Sequence, residues 1–229
     1  MAEILSRHPY VTLEPQASSQ DRILEFNQDG SWDRTITWSG QDFPIRGLVE
    51  LIDNNPMVCA TSLSLPTPSA TLTMIALGPL IRAGIILEAP ALHFNFAVEP
   101  ADIQDNLETF GWNGGATLAI DEQEFGSVLI LNAMAKVPNY SDDRVFDELF
   151  DEAFGRSFFV HAAPPEADWD TKLVSGTPNA VYNLRITPGE DDSLLTVQVM
   201  ADKDGKCGAA QVVHAMNVMC GFEESLGLE

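Results

Sequence analysis

The chain has 229 residues, with 12 Lys and Arg against 34 Asp and Glu and a formal net charge of -22. Hydrophobic residues make up 45% and charged residues 20%, enough apolar surface for a buried core and too much for an intrinsically disordered chain. So acidic a surface repels phosphate backbones and anionic lipid heads, and no apolar run reaches the length of a membrane span. Neither nucleic acid nor a membrane is an expected partner.

Met1-Ala2-Glu3, with Arg7 and His8 close behind, lacks the apolar segment of a signal peptide, so the cytoplasm is the expected compartment. The three cysteines, Cys59, Cys207 and Cys220, show neither metal-ligand spacing nor a paired framework. Free thiols in a reducing compartment are expected, and no metal.

Arg22 to Phe26 and Thr35 to Trp38 alternate around Asp29-Gly30, which predicts a hairpin. No G-x-G-x-x-G run follows a strand anywhere, so a dinucleotide-binding loop is not expected. Leu48 to Leu65 reads as one or two buried strands interrupted at Asn54-Asn55-Pro56. In that setting Cys59 is a buried, inert thiol.

Thr67-Pro68-Ser69 predicts a helix start, with Thr67 as N-cap and Pro68 as the first helical residue. The helix runs through Leu80, is kinked at Pro79 and closes at Gly84. Residues 86–131 hold further strand-like runs separated by polar loops at 113–115 and 121–124. His93 alternates with Leu92 and Phe94 and reads as a strand residue.

Ser141 is the expected cap of a helix reaching Phe154. Val145, Phe146, Leu149, Phe150, Ala153 and Phe154 form its apolar stripe, and Gly155 ends it. Phe158 to His161 reads as a strand and Pro164 to Asp168 as a loop. Ala180–Ile186 and Leu194–Met200 read as a strand pair turned at Pro188-Gly189.

The last segment predicts a helix from Lys206 to Met219, with Ala209, Val212, Val213, Met216 and Cys220 on one face. Gly221 stands at the left-handed position beyond it, and Phe222 folds back as in a Schellman cap. Periodicity alone makes this an amphipathic packing helix.

The order of residues adds a resemblance. The stretch ADKDGKCGAAQVVHAMNVMCGFEESLGL is similar to the closing pattern of N-acetyl-gamma-glutamyl-phosphate reductases, D-N-x-x-K-G-A-A-G-Q-A-V-Q-N-M-N-x-M-x-G-x-x-E-T-x-G-L. Asp202, Lys206, Ala209, Gln211, Val213, Met216, Asn217, Met219, Gly221, Glu224, Gly227 and Leu228 fall on its positions without a gap. Upstream, Thr171, Lys172, Val174 and Gly176 match T-K-x-V-x-G-S-N. The chain from about Val128 onward resembles this family, which belongs to the aspartate-semialdehyde dehydrogenase superfamily.

The resemblance implies an α+β fold: a mixed, largely antiparallel sheet with helices on one face, like the superfamily's dimerisation domain. Its Rossmann domain would be missing or vestigial. Residues 1–66 would be a hairpin-and-strand vestige of the cofactor half, and 67–229 the dimerisation domain with its C-terminal helix. In the family a cysteine in an N-P-x-C-x-T setting opens the helix, its thiol acidified by the helix N-terminus, and attacks the acyl carbon. Here LPTP stands in that place and Pro68 occupies the nucleophile position, beside Ser69, which has no evident base. A second alignment takes NNPMVCAT as the motif with one residue inserted, which makes Cys59 the nucleophile. No histidine stands at the family's general-base position.

Two functions follow. The first is a catalytically inactive semialdehyde-dehydrogenase-like protein, binding no cofactor, that acts as a dimeric binding, assembly or regulatory protein. The second is an NADP-dependent acyl-phosphate or semialdehyde oxidoreductase subunit that relies on another chain for its cofactor domain. A homodimer is implied in either case, with a related full-length reductase or another protein as a second partner. Lys206 and Lys172, with Gln211 and Asn217, are the candidate ligand-binding residues, because both lysines lie on motif positions and Lys206 precedes a helix N-terminus. Relief of repulsion on an acidic surface explains the two lysines equally well.

Overall fold

A computed structural model describes residues 1–13, 22–38 and 43–228. The chain opens with a short helix, α1 (Ala2–Arg7), and the expected hairpin, β1 (Ile23–Gln28) and β2 (Trp32–Thr37). Asp29 and Gly30 at its turn both have positive φ, 54° and 72°, a conformation that Asp tolerates and Gly adopts freely. A 3-10 turn (Val49–Leu51), α2 (Asn54–Val58) and β3 (Ser62–Ser64) follow. The expected strand region from Leu48 is thus mostly helical turn. Asp53 holds extended backbone ahead of α2, and Pro56 sits in the first turn, where its missing N–H costs nothing.

The hairpin and β3 make a three-stranded sheet in the order β1-β2-β3, antiparallel and then parallel. From β3 the chain enters α3 (Pro68–Ala83), whose residues Ser69 to Leu80 are all buried. Thr67 is its extended N-cap, and Gly84 ends it in the left-handed region at φ 65°. Pro79 lies inside the helix.

The larger sheet has six strands in the order β5-β4-β6-β9-β8-β7, from β4 (Ala91–Phe94), β5 (Thr117–Ile120), β6 (Val128–Pro138), β7 (Val160–Ala162), β8 (Ala180–Pro188) and β9 (Asp192–Asp202). Its inner pairs, β4 with β6, β6 with β9 and β9 with β8, are antiparallel; its two edge pairs are parallel. The fold is therefore α+β with a mixed, largely antiparallel sheet, as the resemblance implied.

Between β4 and β5 lies α4 (Pro100–Thr109), a helix absent from the sequence expectation for residues 86–131. Only Ile103 and Leu107 give it an apolar face, too few to stand out by periodicity. The helix α5 (Arg144–Phe154) follows β6 and buries Phe146, Phe150 and Phe154. Its start is held by Asp142, whose carboxylate accepts the Arg144 N–H at 3.0 Å, and not by Ser141.

One face of the large sheet carries the main core. Leu131, Ala133, Ala135 and Val137 of β6, with Leu195, Val197 and Val199 of β9, meet α3, α4 and α5 there. The intervening residues of the same strands face the other way. Across β4, β6, β9 and β8 they form the rows His93–Asn132–Gln198–Asn183 and Ala91–Met134–Thr196–Arg185. Met134 and Leu194 on this side are 36% and 38% exposed. One end of it is covered by Trp169, Leu173 and Val174, which pack on Val128, Ile130, Val181 and Met200.

The last helix, α6 (Ala209–Cys220), belongs to a second core made with Leu5, Ile36, Val49, Met57 and Leu63. It starts three residues later than the periodicity suggested, and it is buried on all sides from Ala210 to Met219 rather than along one stripe. The Schellman cap forms: Gly221 has φ 71°, its N–H reaches the Val218 carbonyl, and the Phe222 N–H reaches Asn217 at 2.9 Å.

Candidate functional site

The start of α3 is where the resemblance places chemistry. Pro68 needs no N–H acceptor as the first helical residue, and Thr67 before it is fully buried. The Thr67 N–H donates to Asp102 Oδ2 at 2.8 Å. Asp102, in the first turn of α4, is itself buried. Its Oδ1 accepts from Arg46 Nη2 at 2.7 Å and from Asn106 Nδ2 at 3.1 Å. Arg46 also meets Asp105 at 3.2 Å. Ser69 Oγ accepts the Glu99 N–H at 3.2 Å and lies 3.3 Å from Thr67 Oγ1. A carboxylate of the protein thus occupies the anion-favouring end of α3, and Arg46 neutralises it.

From the other side, α6 reaches the same place. Gln211 donates through Nε2 to the Pro66 carbonyl at 3.4 Å and to Thr71 Oγ1 at 3.3 Å. Cys207 Sγ lies 4.0 Å from the Pro68 carbonyl oxygen. Burial pushes the Cys207 thiol far above its ordinary range, since a thiolate there would lack water. It is a packed thiol and no substitute nucleophile.

Lys206 turns away from this point. Its ammonium is 1% exposed and binds Glu50 Oε1 at 2.6 Å. His214 Nδ1 stands 3.4 Å from Lys206 Nζ, and His214 Nε2 meets Glu224 Oε2 at 2.8 Å. Phe159 closes the cluster, its ring 4.8 Å from the His214 ring. Burial works against the charge on Glu50, but Lys206 and then His214 outweigh it and hold the carboxyl below its usual range. Burial, reinforced by Lys206, lowers the His214 pKa and keeps the imidazole neutral near pH 7.

The other candidates go elsewhere. Lys172 extends into solvent beside Asp170, 3.4 Å away. Asn217 binds His8 Nε2 at 2.9 Å and donates to the carbonyls of Glu224 and Leu226. Of the four candidate ligand residues, only Gln211 reaches the start of α3. The other three have separate, internal or solvent-exposed partners.

Cys59 is exposed, which corrects the expectation of a buried thiol. The segment before it is the short α2 and not a strand, so Cys59 caps a helix C-terminus at the surface. His93 lies on the less covered side of the large sheet, in the row with Asn132 and Gln198.

Sequence reasoning missed Arg46, Asp102, Glu50 and His214. Gln211, His214 and Asn217 stand three apart in an otherwise apolar helix, and that polar row was the available signal. The two stretches that carry the resemblance also meet. Asp202 accepts the Gly176 N–H at 2.8 Å, the Asp204 N–H at 2.9 Å and the Ser127 hydroxyl. Gly176 has φ 70°, where a side chain would be strained. Among the described residues no group of three or more His, Cys, Asp or Glu could hold a metal ion.

Comparison with known proteins bears on this geometry. No family model matches the chain. The N-acetyl-gamma-glutamyl-phosphate reductase of Dictyoglomus thermophilum is 32% identical over 91 residues, 38% of this chain and 26% of the relative. That of Psychrobacter arcticus is 36% identical over 85 residues, 36% of this chain and 23% of the relative. That of Halorhodospira halophila is 25% identical over 193 residues, 71% and 56% of the two chains. The resemblance to this reductase is shown.

Fold agrees with sequence. A solved structure of aspartate semialdehyde dehydrogenase II from Vibrio cholerae, complexed with ASA, matches with a TM-score of 0.58 at 11% identity. The match covers 79% of this chain and 69% of that one. At that identity the likeness is one of fold. The chain spans only a quarter to just over half of the curated reductases it matches. No helix among the described residues is long and apolar enough to cross a membrane.

Proposed function

We propose that the chain is a catalytically inactive relative of the semialdehyde dehydrogenases, working in the cytoplasm as a dimeric binding, assembly or regulatory protein. The observation that carries this reading is the filled start of α3. By the alignment, Pro68 replaces the nucleophile, and Asp102 takes up the Thr67 N–H that faces the helix end. A substrate anion arriving there meets a carboxylate already held by Arg46. Residues 1–66 serve as a remnant of the cofactor half and bind no NADP by themselves, because the small sheet has three strands among the described residues and the sequence holds no G-x-G-x-x-G run.

The dimer forms through the less covered side of the large sheet. Two rows of mixed polar and apolar side chains cross four strands there, and Met134 and Leu194 stay partly exposed. A partly apolar sheet face of this kind suits a two-fold interface.

The names of the curated relatives and the exposure of Cys59 favour a second reading, an oxidoreductase subunit that borrows a cofactor domain. Titration with NADPH, followed by its fluorescence, tests the first on this chain alone; the second expects Cys59-dependent NADPH formation once a full-length reductase is added, and that assay separates the two. The first reading expects no saturation below about 100 μM, a range covering ordinary cofactor and substrate affinities. A dissociation constant in the low micromolar range overturns it.

A further inference from the structure

Arg34 of β2 is 2% exposed and ties together the ends of two helices. Its Nη2 donates to the Val58 carbonyl at 2.7 Å, and its Nη1 donates to the Met219 carbonyl. The Trp32 ring lies against the guanidinium, 3.4 Å from Cζ to the ring centroid. The residues that directly follow those two carbonyls are Cys59 and Cys220. One buried side chain therefore gathers the C-terminus of α2 and the C-terminus of α6, each carrying a cysteine at its last turn. Both thiols lie within electrostatic reach of the same guanidinium. Cys59 is exposed and Cys220 half-buried, whereas Cys207 is buried at the start of α3.

We propose that Cys59 and Cys220 are a redox pair that closes into an intramolecular disulfide under peroxide, clipping α2 to α6. The accessible thiol reacts first. The Cys59 thiolate attacks hydrogen peroxide, an S–O bond forms as the O–O bond breaks, and hydroxide leaves to take up a proton as water. The Cys220 sulfur then attacks the Cys59 sulfenic sulfur. The S–S bond forms, the S–O bond breaks, and the thiol proton leaves with the hydroxyl as a second water. Two thiols lose two electrons and the peroxide gains them. Exposure makes Cys59 the entry point, while burial raises the Cys220 pKa against the opposing Arg34 guanidinium. The bridge encloses almost the whole chain between β3 and α6, so it restricts the unfolded state strongly.

The experiment uses the full chain, reduced and then exposed to a small molar excess of hydrogen peroxide. Alkylation under denaturing conditions and intact-mass measurement follow. The proposal expects one alkylated cysteine per chain instead of three, a mass lower by about 2 Da before alkylation, and a Cys59–Cys220 cross-linked peptide after digestion. The oxidised form should unfold at a higher temperature than the reduced form, and Cys220→Ser should abolish both the peptide and the shift. Over-oxidation of Cys59 with Cys220 still alkylated overturns it. So does a bridge that includes Cys207, or three free thiols after treatment.

Discussion

Replacing Lys206 with Met tests whether that lysine is an internal counter-ion or a ligand anchor. Its ammonium and the Glu50 carboxylate are 1% and 4% exposed and 2.6 Å apart, so water screens neither of them. Met keeps most of the volume and removes the charge. Glu50 is then left as a buried carboxylate with Ser157, at 3.5 Å, its own backbone N–H and the neutral His214 nearby. Glu50 Oε2 already lacks a partner among the described residues, so little is available to compensate. Breaking one side of such a pair costs about 3–5 kcal/mol. For a chain of this size that corresponds to a fall in Tm of roughly 6–20 °C. The double variant Lys206→Met with Glu50→Gln should recover more than half of the loss, because it leaves no uncompensated charge. Thermal unfolding by circular dichroism reads both. A single variant within about 1 kcal/mol of the parent, the range of an exposed pair, refutes the counter-ion role.

Asp102→Ala should cost about 2–4 kcal/mol in urea unfolding, because it strands the Thr67 N–H and a largely buried Arg46; Asp102→Asn should cost less. Stability should fall as the pH drops below about 6.5. The lowered His214 pKa makes its contribution complete above the unfolded value and lost beneath it, at no more than about 1.4 kcal/mol per pH unit. The lowered Glu50 pKa acts in the same sense at more acidic pH, and His214→Gln should flatten the part of the profile just below pH 6.5 specifically. Met134→Asp, on the side of the sheet away from α3, should convert a dimeric mass to a monomeric one by light scattering without a large change in Tm. A parent protein that is already monomeric at micromolar concentration contradicts the dimer.

Elements with local signals were legible in the sequence. The Asp29-Gly30 hairpin, the Thr67-Pro68 entry to α3, the aromatic stripe of α5 and the Gly221 cap all depend on neighbours within a few residues. What failed depends on distant partners. The first turn of α4 is fixed by Asp102 reaching Arg46 and Thr67, contacts 56 and 35 residues away in the chain. Lys206 could be matched to a motif position, but its direction was set by Glu50, 156 residues earlier. The helix α6 reads as amphipathic from the stripe of Ala209, Val212, Val213, Met216 and Cys220, yet Gln211, His214 and Asn217 between them are buried as well. Each is buried with a specific polar partner, which removes the usual penalty for such residues. Asn54-Asn55-Pro56 reads as a break between strands but opens a short helix that ends at the surface, and this exposes Cys59.

The most direct test of an inactive site at the start of α3 is a steady-state assay. The full chain would be incubated with NADP and inorganic phosphate and an N-acylated glutamate semialdehyde, with NADPH formation followed by absorbance. With Pro68 in the nucleophile's place nothing carries the acyl group, so the rate should equal that without protein at every substrate concentration. Saturable NADPH formation that scales with protein and disappears in Cys59→Ser would contradict the account and make Cys59 the nucleophile.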